Sequence, residues 1–458
     1  MDVRRRGYFH PESPWEHRTD FTVYTEAGAA FFDGGKPYEV ANPRGWTYLY
    51  PPLLALLVAP LNLLPMEDQV TVWFLLNLLL CWGCYYEFRR LVEIICAQDL
   101  RAAITWQRIG LWLATAAVAT ALLPTLNCLQ RGQVGVAKLY FLLLGLRIVL
   151  NRRSIWGWLT GGVVLALPIA LKILPVLPVC FLLFLQYCKA RHAQMHRGEL
   201  VSMLKRRWAA SGAGVIVGLV LFFLLLPATL IGWNANLRHL GTWSHFMLSK
   251  ADDGGVEPCS GNSRSARNQS LQNAATRLGN FFAYQFLAGP DDRLVERFDA
   301  PRMPMDNAES KQLLWIARLS VGLALLALGV MLSRKEGDHL DLTAGFVLAC
   351  ATMLVVSPVA RGHYFLLLSP AVLFVPLWIG REGQVRKALW LSGLPPLLCW
   401  THYLLLPFAG RVGLLGLGTA CWLLTAMVLM NRCRGAAEEA DLRQFAFGEN
   451  CPHLQKAA

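Results

Sequence analysis

The chain has 458 residues, of which 55% are hydrophobic and only 16% charged, with a formal net charge of +13. That composition excludes an average soluble domain. So large a positive charge on a soluble protein would favour nucleic acid. Here the basic residues fall in short stretches between apolar runs, the signature of cytoplasmic loops, and no nucleic-acid partner is expected.

In chain order, the first 47 residues contain no apolar run of the signal-peptide kind. They carry Asp20-Phe21-Thr22-Val23-Tyr24, then Gly35-Lys36-Pro37-Tyr38, and lead into Tyr48-Leu49-Tyr50-Pro51-Pro52. A carboxylate kept at a bilayer edge among glycines, prolines and tyrosines is costly, and such groups usually serve chemistry. The plainer reading of Asp20 is an N-cap for a helix starting at Phe21. Residues 51–65 are apolar but short and hold Pro51, Pro52, Pro60 and Pro65. They read as a re-entrant or interfacial helix rather than a span.

Long apolar runs follow, for example 111–123, 214–226, 313–331 and 412–430. The class is an all-α polytopic membrane protein. Its spans are expected at 69–88, 109–128, 134–150, 155–171, 173–187, 209–231, 312–332, 341–357, 363–380, 387–407 and 412–430, about eleven helices. With these spans Arg89, Arg90, Arg101, Arg108, Arg152, Arg153, Lys189, Lys205, Arg334, Arg381, Arg386 and Arg432 share one side, which the positive-inside rule makes cytoplasmic. Basic flanks at both ends of 155–187 require two crossings, as a tight helical hairpin turning near Lys172. The expected organisation is an external N-terminal segment at 1–67, a first bundle at 68–231, a long external loop at 232–311, a second bundle at 312–431 and a cytoplasmic tail at 432–458. An outside N-terminus carrying Arg4, Arg5 and Arg6 either crosses unaided or follows an earlier helix.

That topology collects polar groups on the outer face: Asp20 and Tyr24, the Gln130-Arg131-Gly132-Gln133 turn, Lys172, Arg267-Asn268-Gln269-Ser270, and Arg361-Gly362-His363. Cations and amides at headgroup depth suit a lipid phosphate, and a nearby carboxylate can take a proton from an attacking hydroxyl. Each also has a bland reading. Lys172 can snorkel to the headgroups, Arg361 and His363 can anchor an interfacial loop, and His239, Trp243 and His245 read as an aromatic belt. His192 and His196 lie four apart without a third ligand nearby, so no metal is expected there. Cys81 and Cys84 lie in an apolar helix and read as packing residues.

The D-F-x-x-Y, G-x-P-Y and Y-x-Y-P-P patterns resemble the first external loop of glycosyltransferase family 87, membrane enzymes of the GT-C fold with mannosyltransferase-like activity. The resemblance continues in order through Arg131-Gly132-Gln133, Leu171-Lys172-Ile173-Leu174-Pro175, Asn268-Gln269-Ser270-Leu271 with Arg277 beyond, and Ser357-Pro358 to His363-Tyr364. It implies a GT-C-like bundle with a catalytic first external loop. It makes Asp20 the general base of an inverting transfer and Tyr24 and Tyr38 loop aromatics near the acceptor. Gln133, Lys172, Arg361 and His363 would face the donor phosphate or sugar, and Asn268 and Arg277 would contact substrate. The family usually has a transmembrane helix before the aspartate loop, Asn-x-Gly-Gln where this chain has Gln130-Arg131-Gly132-Gln133, and a Trp- and His-rich segment after Ser357-Pro358.

The expected function is therefore transfer of a hexose, mannose first, from a polyprenyl-phosphate sugar to a lipid or glycan hydroxyl. The site would lie on the external or periplasmic side of the inner (plasma) membrane, among membrane lipids. A phosphate leaving group needs neither metal nor cofactor when cations are at hand. The rival class is a transporter or flippase for an anionic lipid, which would be expected to show an internal repeat with matched broken helices. None is visible. A scaffold or O-antigen-ligase-like protein is a third option, and 232–311 offers only part of the arginine- and histidine-rich loop that a ligase favours.

Overall fold

The computed structural model describes residues 20–41, 47–193, 198–252, 269–271, 274, 308–334, 339–357, 359–405, 409 and 413–448. Among them the architecture is helical. Two short elements open it: α1 (Asp20–Phe32), and α2 (Pro52–Val58) running into a 3-10 turn (Ala59–Leu63). A dozen residues of helix rise about 18 Å, well short of a bilayer's hydrocarbon, so 51–65 does not span. It packs against α1 instead.

The long helices are α3 (Met66–Gln98), α4 (Leu100–Arg131), α5 (Gly135–Asn151), α6 (Ile155–Leu171), α7 (Val176–Ala193) and α8 (Gly198–Leu219). A π turn (Val220–Leu225) and the short α9 (Leu226–Ile231) extend α8, and α10 (Trp233–Asp252) follows. The second half holds α11 (Ala308–Ser333), α12 (His339–Val356), a 3-10 segment (Gly362–Leu368) leading into α13 (Ser369–Arg381), α14 (Val385–Leu404) and α15 (Leu414–Gly448). Among the described residues each of the eleven expected spans overlaps a helix. Seven stretches among the described residues are long and apolar enough to cross a membrane: those in α3, α4, α8–α9, α11, α12, the 3-10 segment with α13, and α15. The others, α5, α6, α7 and α14, are shorter or more polar, so length and apolarity alone support seven rather than eleven.

Local chemistry sets the helix ends. Asp99 caps α4 by accepting from the Ala102 N–H at 2.9 Å. At the other end Gly132, with φ +66°, closes α4 in the left-handed conformation that glycine takes without strain. Close packing follows small residues: Gly145 and Gly161 let α5 and α6 touch, and Gly162 and Gly214 do the same for α6 and α8. The tight 155–187 hairpin is corrected here. α6 packs on α5 and α8 while α7 packs on α8, α11 and α12, so the two helices diverge after Lys172. The 232–311 segment also opens on a helix. The side-chain amide of Asn236, in α10, donates to the Phe223 and Leu224 carbonyls at 2.9 and 3.3 Å, which the π turn takes out of the regular α-helical ladder.

The two ends of the bundle differ. At one, Asp341 is fully buried and accepts from Lys189 at 3.3 Å, Arg381 at 3.1 Å and Trp378 at 2.6 Å, while Arg381 also reaches Asp99 at 3.2 Å. This network ties α7, α12 and α13 to the α3–α4 junction. The other end carries the site.

Candidate active site

Tyr48 organises the entry. Its hydroxyl donates to the Pro51 carbonyl at 2.6 Å and accepts from the Ala55 N–H at 3.1 Å, which fixes the turn into α2. That turn places Tyr50 against Tyr24, their hydroxyls 3.1 Å apart. The Tyr50 hydroxyl donates to the Gln133 side-chain oxygen at 3.3 Å, and the Gln133 amide nitrogen donates to Asp20 Oδ2. Arg131 Nη1 lies 3.7 Å from the same oxygen. Among the described residues Oδ1 takes no hydrogen bond, so one carboxylate oxygen is held and the other is open to a proton. Asp20 is the first residue of α1, and its carboxylate turns across to the α4–α5 junction.

Gly132 makes this possible. Its left-handed turn sets Arg131 and Gln133 on the Asp20 side, its carbonyl accepts from Trp73 Nε1 at 3.0 Å, and its α-carbon abuts Phe21. Trp73 stacks on Phe21 with ring centroids 5.2 Å apart. From the far side Lys172, just past the end of α6, donates to the Tyr364 hydroxyl and lies 5.0 Å over the Tyr50 ring.

These groups surround one cavity of about 50 Å³, lined by Asp20, Val23, Tyr24, Thr47, Leu49, Tyr50, Gln133, Lys172, Arg361, His363 and Tyr364. Six of the nine residues singled out from sequence therefore converge. Tyr38 does not line the cavity. It is buried with its ring 6.0 Å from Phe31 and 5.7 Å from Tyr48, where it braces the loop. Asn268 and Arg277 lie outside the described residues. Their neighbour Gln269 donates its backbone N–H to the Ala360 carbonyl at 2.6 Å, which ties that segment to the loop bearing Arg361.

Sequence reasoning passed over Tyr50 and Tyr364, although both stand inside quoted motifs. Two of the residues expected in an aromatic belt also reach this loop: Trp243 donates to the Leu49 carbonyl at 3.3 Å and the His239 ring sits 4.8 Å from Phe31. α10 thus clamps the α1–α2 loop that forms the cavity wall.

Burial pushes the Tyr24 and Tyr50 phenols well above their ordinary range, and Asp20 adds to the rise in both. They stay neutral hydrogen-bonding groups beside the carboxylate. His363 is almost wholly buried, and its Nε2 has no partner among the described residues. Its carbonyl accepts from the Cys128 thiol at 3.5 Å. The arrangement offers a proton acceptor at Asp20 facing cations at Lys172 and Arg361, with an aromatic wall between.

Fold and site together define a polytopic helical membrane protein with a polar site at one end of its bundle. A family model for glycosyltransferase family 87 matches residues 48–358. The chain belongs to that family and is a membrane glycosyltransferase, acting on a sugar donor and an acceptor. The matched stretch includes Tyr50, Gln133 and Lys172 and stops short of Asp20 and His363. Comparison with curated proteins and with solved structures gave no match.

Proposed function

We propose that the protein transfers a hexose, mannose first, from a polyprenyl-phosphate sugar to a lipid or glycan hydroxyl, with inversion, at the outer face of the inner membrane in a GT-C-like arrangement. The observation that carries this reading is the convergence of Asp20 with Lys172 and Arg361 on one cavity. Asp20 accepts the acceptor hydroxyl's proton through Oδ1 while Gln133 and Arg131 hold Oδ2. The oxygen so activated attacks the anomeric carbon from the face opposite the phosphate, and the phosphate leaves toward the cations. Charge-assisted contacts from lysine and arginine stabilise that developing charge in a low-dielectric site. Tyr24 and Tyr50, held neutral, keep the carboxylate oriented. The cavity, about 50 Å³, is far smaller than the roughly 300 Å³ at which small-molecule sites begin, so on this reading the site must enlarge to admit the sugar.

The test is turnover of radiolabelled polyprenyl-phosphate mannose by membranes carrying the full chain. The reading expects label in an acceptor fraction and stoichiometric release of polyprenyl phosphate. Turnover with a nucleotide sugar and none with the lipid donor would contradict it.

A further inference from the structure

Lys138 lies in the first turn of α5, five residues beyond Gln133, and is only 1% exposed. Among the described residues its ammonium makes no hydrogen bond and no ion pair. Its near neighbour is the Tyr364 ring, 5.1 Å from Nζ, and the same ring carries the Lys172 ammonium at 4.2 Å. Tyr364 lines the cavity and Lys138 does not. A buried lysine with no counter-ion among the described residues thus stands directly behind the cavity wall. Such a charge inside a membrane helix is costly and usually functional.

The chemistry of the proposed donor gives it a use. A polyprenyl-phosphate sugar is a phosphodiester with one negative charge. As the new bond forms between the acceptor oxygen and the anomeric carbon, the old bond to the phosphate oxygen breaks. Its electron pair stays on the phosphate, and the hydroxyl proton goes to Asp20. The leaving group is then a monoester with two negative charges. An interaction that strengthens only as that second charge appears lowers the barrier, whereas one equally strong in the ground state does not. We propose that Lys138 is a positioning residue for the leaving phosphate, whose charge acts across the Tyr364 ring to favour a monoester dianion over a diester. This inference rests on the donor reading above.

The experiment compares two probes on the purified full chain at pH 7.5: dodecyl phosphate, a monoester, and dodecyl methyl phosphate, a diester with one charge. Wild type is expected to bind the monoester more tightly. Lys138→Met is expected to weaken monoester binding about tenfold, the worth of one modest charge interaction, and to leave diester binding unchanged. Lys138→Arg restores the preference. In turnover, kcat falls in Lys138→Met while KM for the donor holds. Should Lys138→Met not fold, Lys138→Gln carries the same comparison. Equal loss of both probes, or of neither, overturns the role given to Lys138 and leaves the donor reading intact. A wild type that binds neither phosphate overturns the donor reading, and this inference with it.

Discussion

Gln133 donates its side-chain amide to the Asp20 carboxylate, joining the α4–α5 junction to the start of α1 across 113 positions of sequence. The same amide group accepts from Tyr50 through its oxygen, so a single side chain orients the carboxylate and receives the tyrosine relay. Substituting Gln133→Leu is expected to lower the transfer rate about 100-fold, the cost of a misplaced reacting group. Initial rates at saturating donor check this, with the melting temperature nearly unchanged.

Gly132→Ala tests the turn that places Gln133. The alanine is forced to a positive φ, and its Cβ meets Phe21. The left-handed conformation alone costs about 1–2 kcal/mol, so a lowered melting temperature and reduced activity are expected together. Thermal unfolding in detergent followed by fluorescence measures the first, and the transfer assay the second.

The buried phenols predict an alkaline limit. Burial raises Tyr24, Tyr48 and Tyr50 above the ordinary value of 10.0. A raised pKa in the folded state means that their contribution is fully present below pH 10. Above it the unfolded chain loses protons that the folded chain keeps, and stability falls as pH rises. Melting temperatures between pH 8 and 11 should drop more steeply in wild type than in the Tyr24→Phe, Tyr50→Phe double variant.

At the far end of the bundle, Asp341→Asn leaves Lys189 and Arg381 without their shared carboxylate. Breaking a buried ion pair by removing one partner costs about 3–5 kcal/mol. The yield of folded protein and its melting temperature should fall. Activity per folded molecule should hold, because the network is remote from the cavity.

Much of this was legible in the sequence, for physical reasons. Apolar runs long enough for hydrocarbon mark seven of the helices, whereas α5, α6, α7 and α14 are too short or too polar for length and apolarity to mark them. The arginine and lysine loops divide the chain into two faces, which put Asp20, Gln133, Lys172, Arg361 and His363 on one side before any coordinates. Short polar turns between spans have few other places to go, and they converge. What was hidden depends on side-chain direction. Tyr50 and Tyr364 sit beside prolines and leucines, where a tyrosine reads equally as an interfacial anchor. Tyr38 stands in a loop-like motif, yet its ring fits between Phe31 and Tyr48. Lys138 is a lone charge within an apolar run, and spacing alone does not separate a snorkelling lysine from one turned into the protein. α10 is too polar to look like a span, and its clamp on Leu49 joins residues nearly two hundred positions apart.

The central claim is that Asp20 takes the proton. The direct measurement is the transfer rate of Asp20→Asn beside wild type, both folded and both binding the phosphate lipid. A general base contributes about 10²–10⁴-fold, so kcat is expected to fall by that factor while donor affinity is retained. Wild-type turnover by Asp20→Asn would contradict the account.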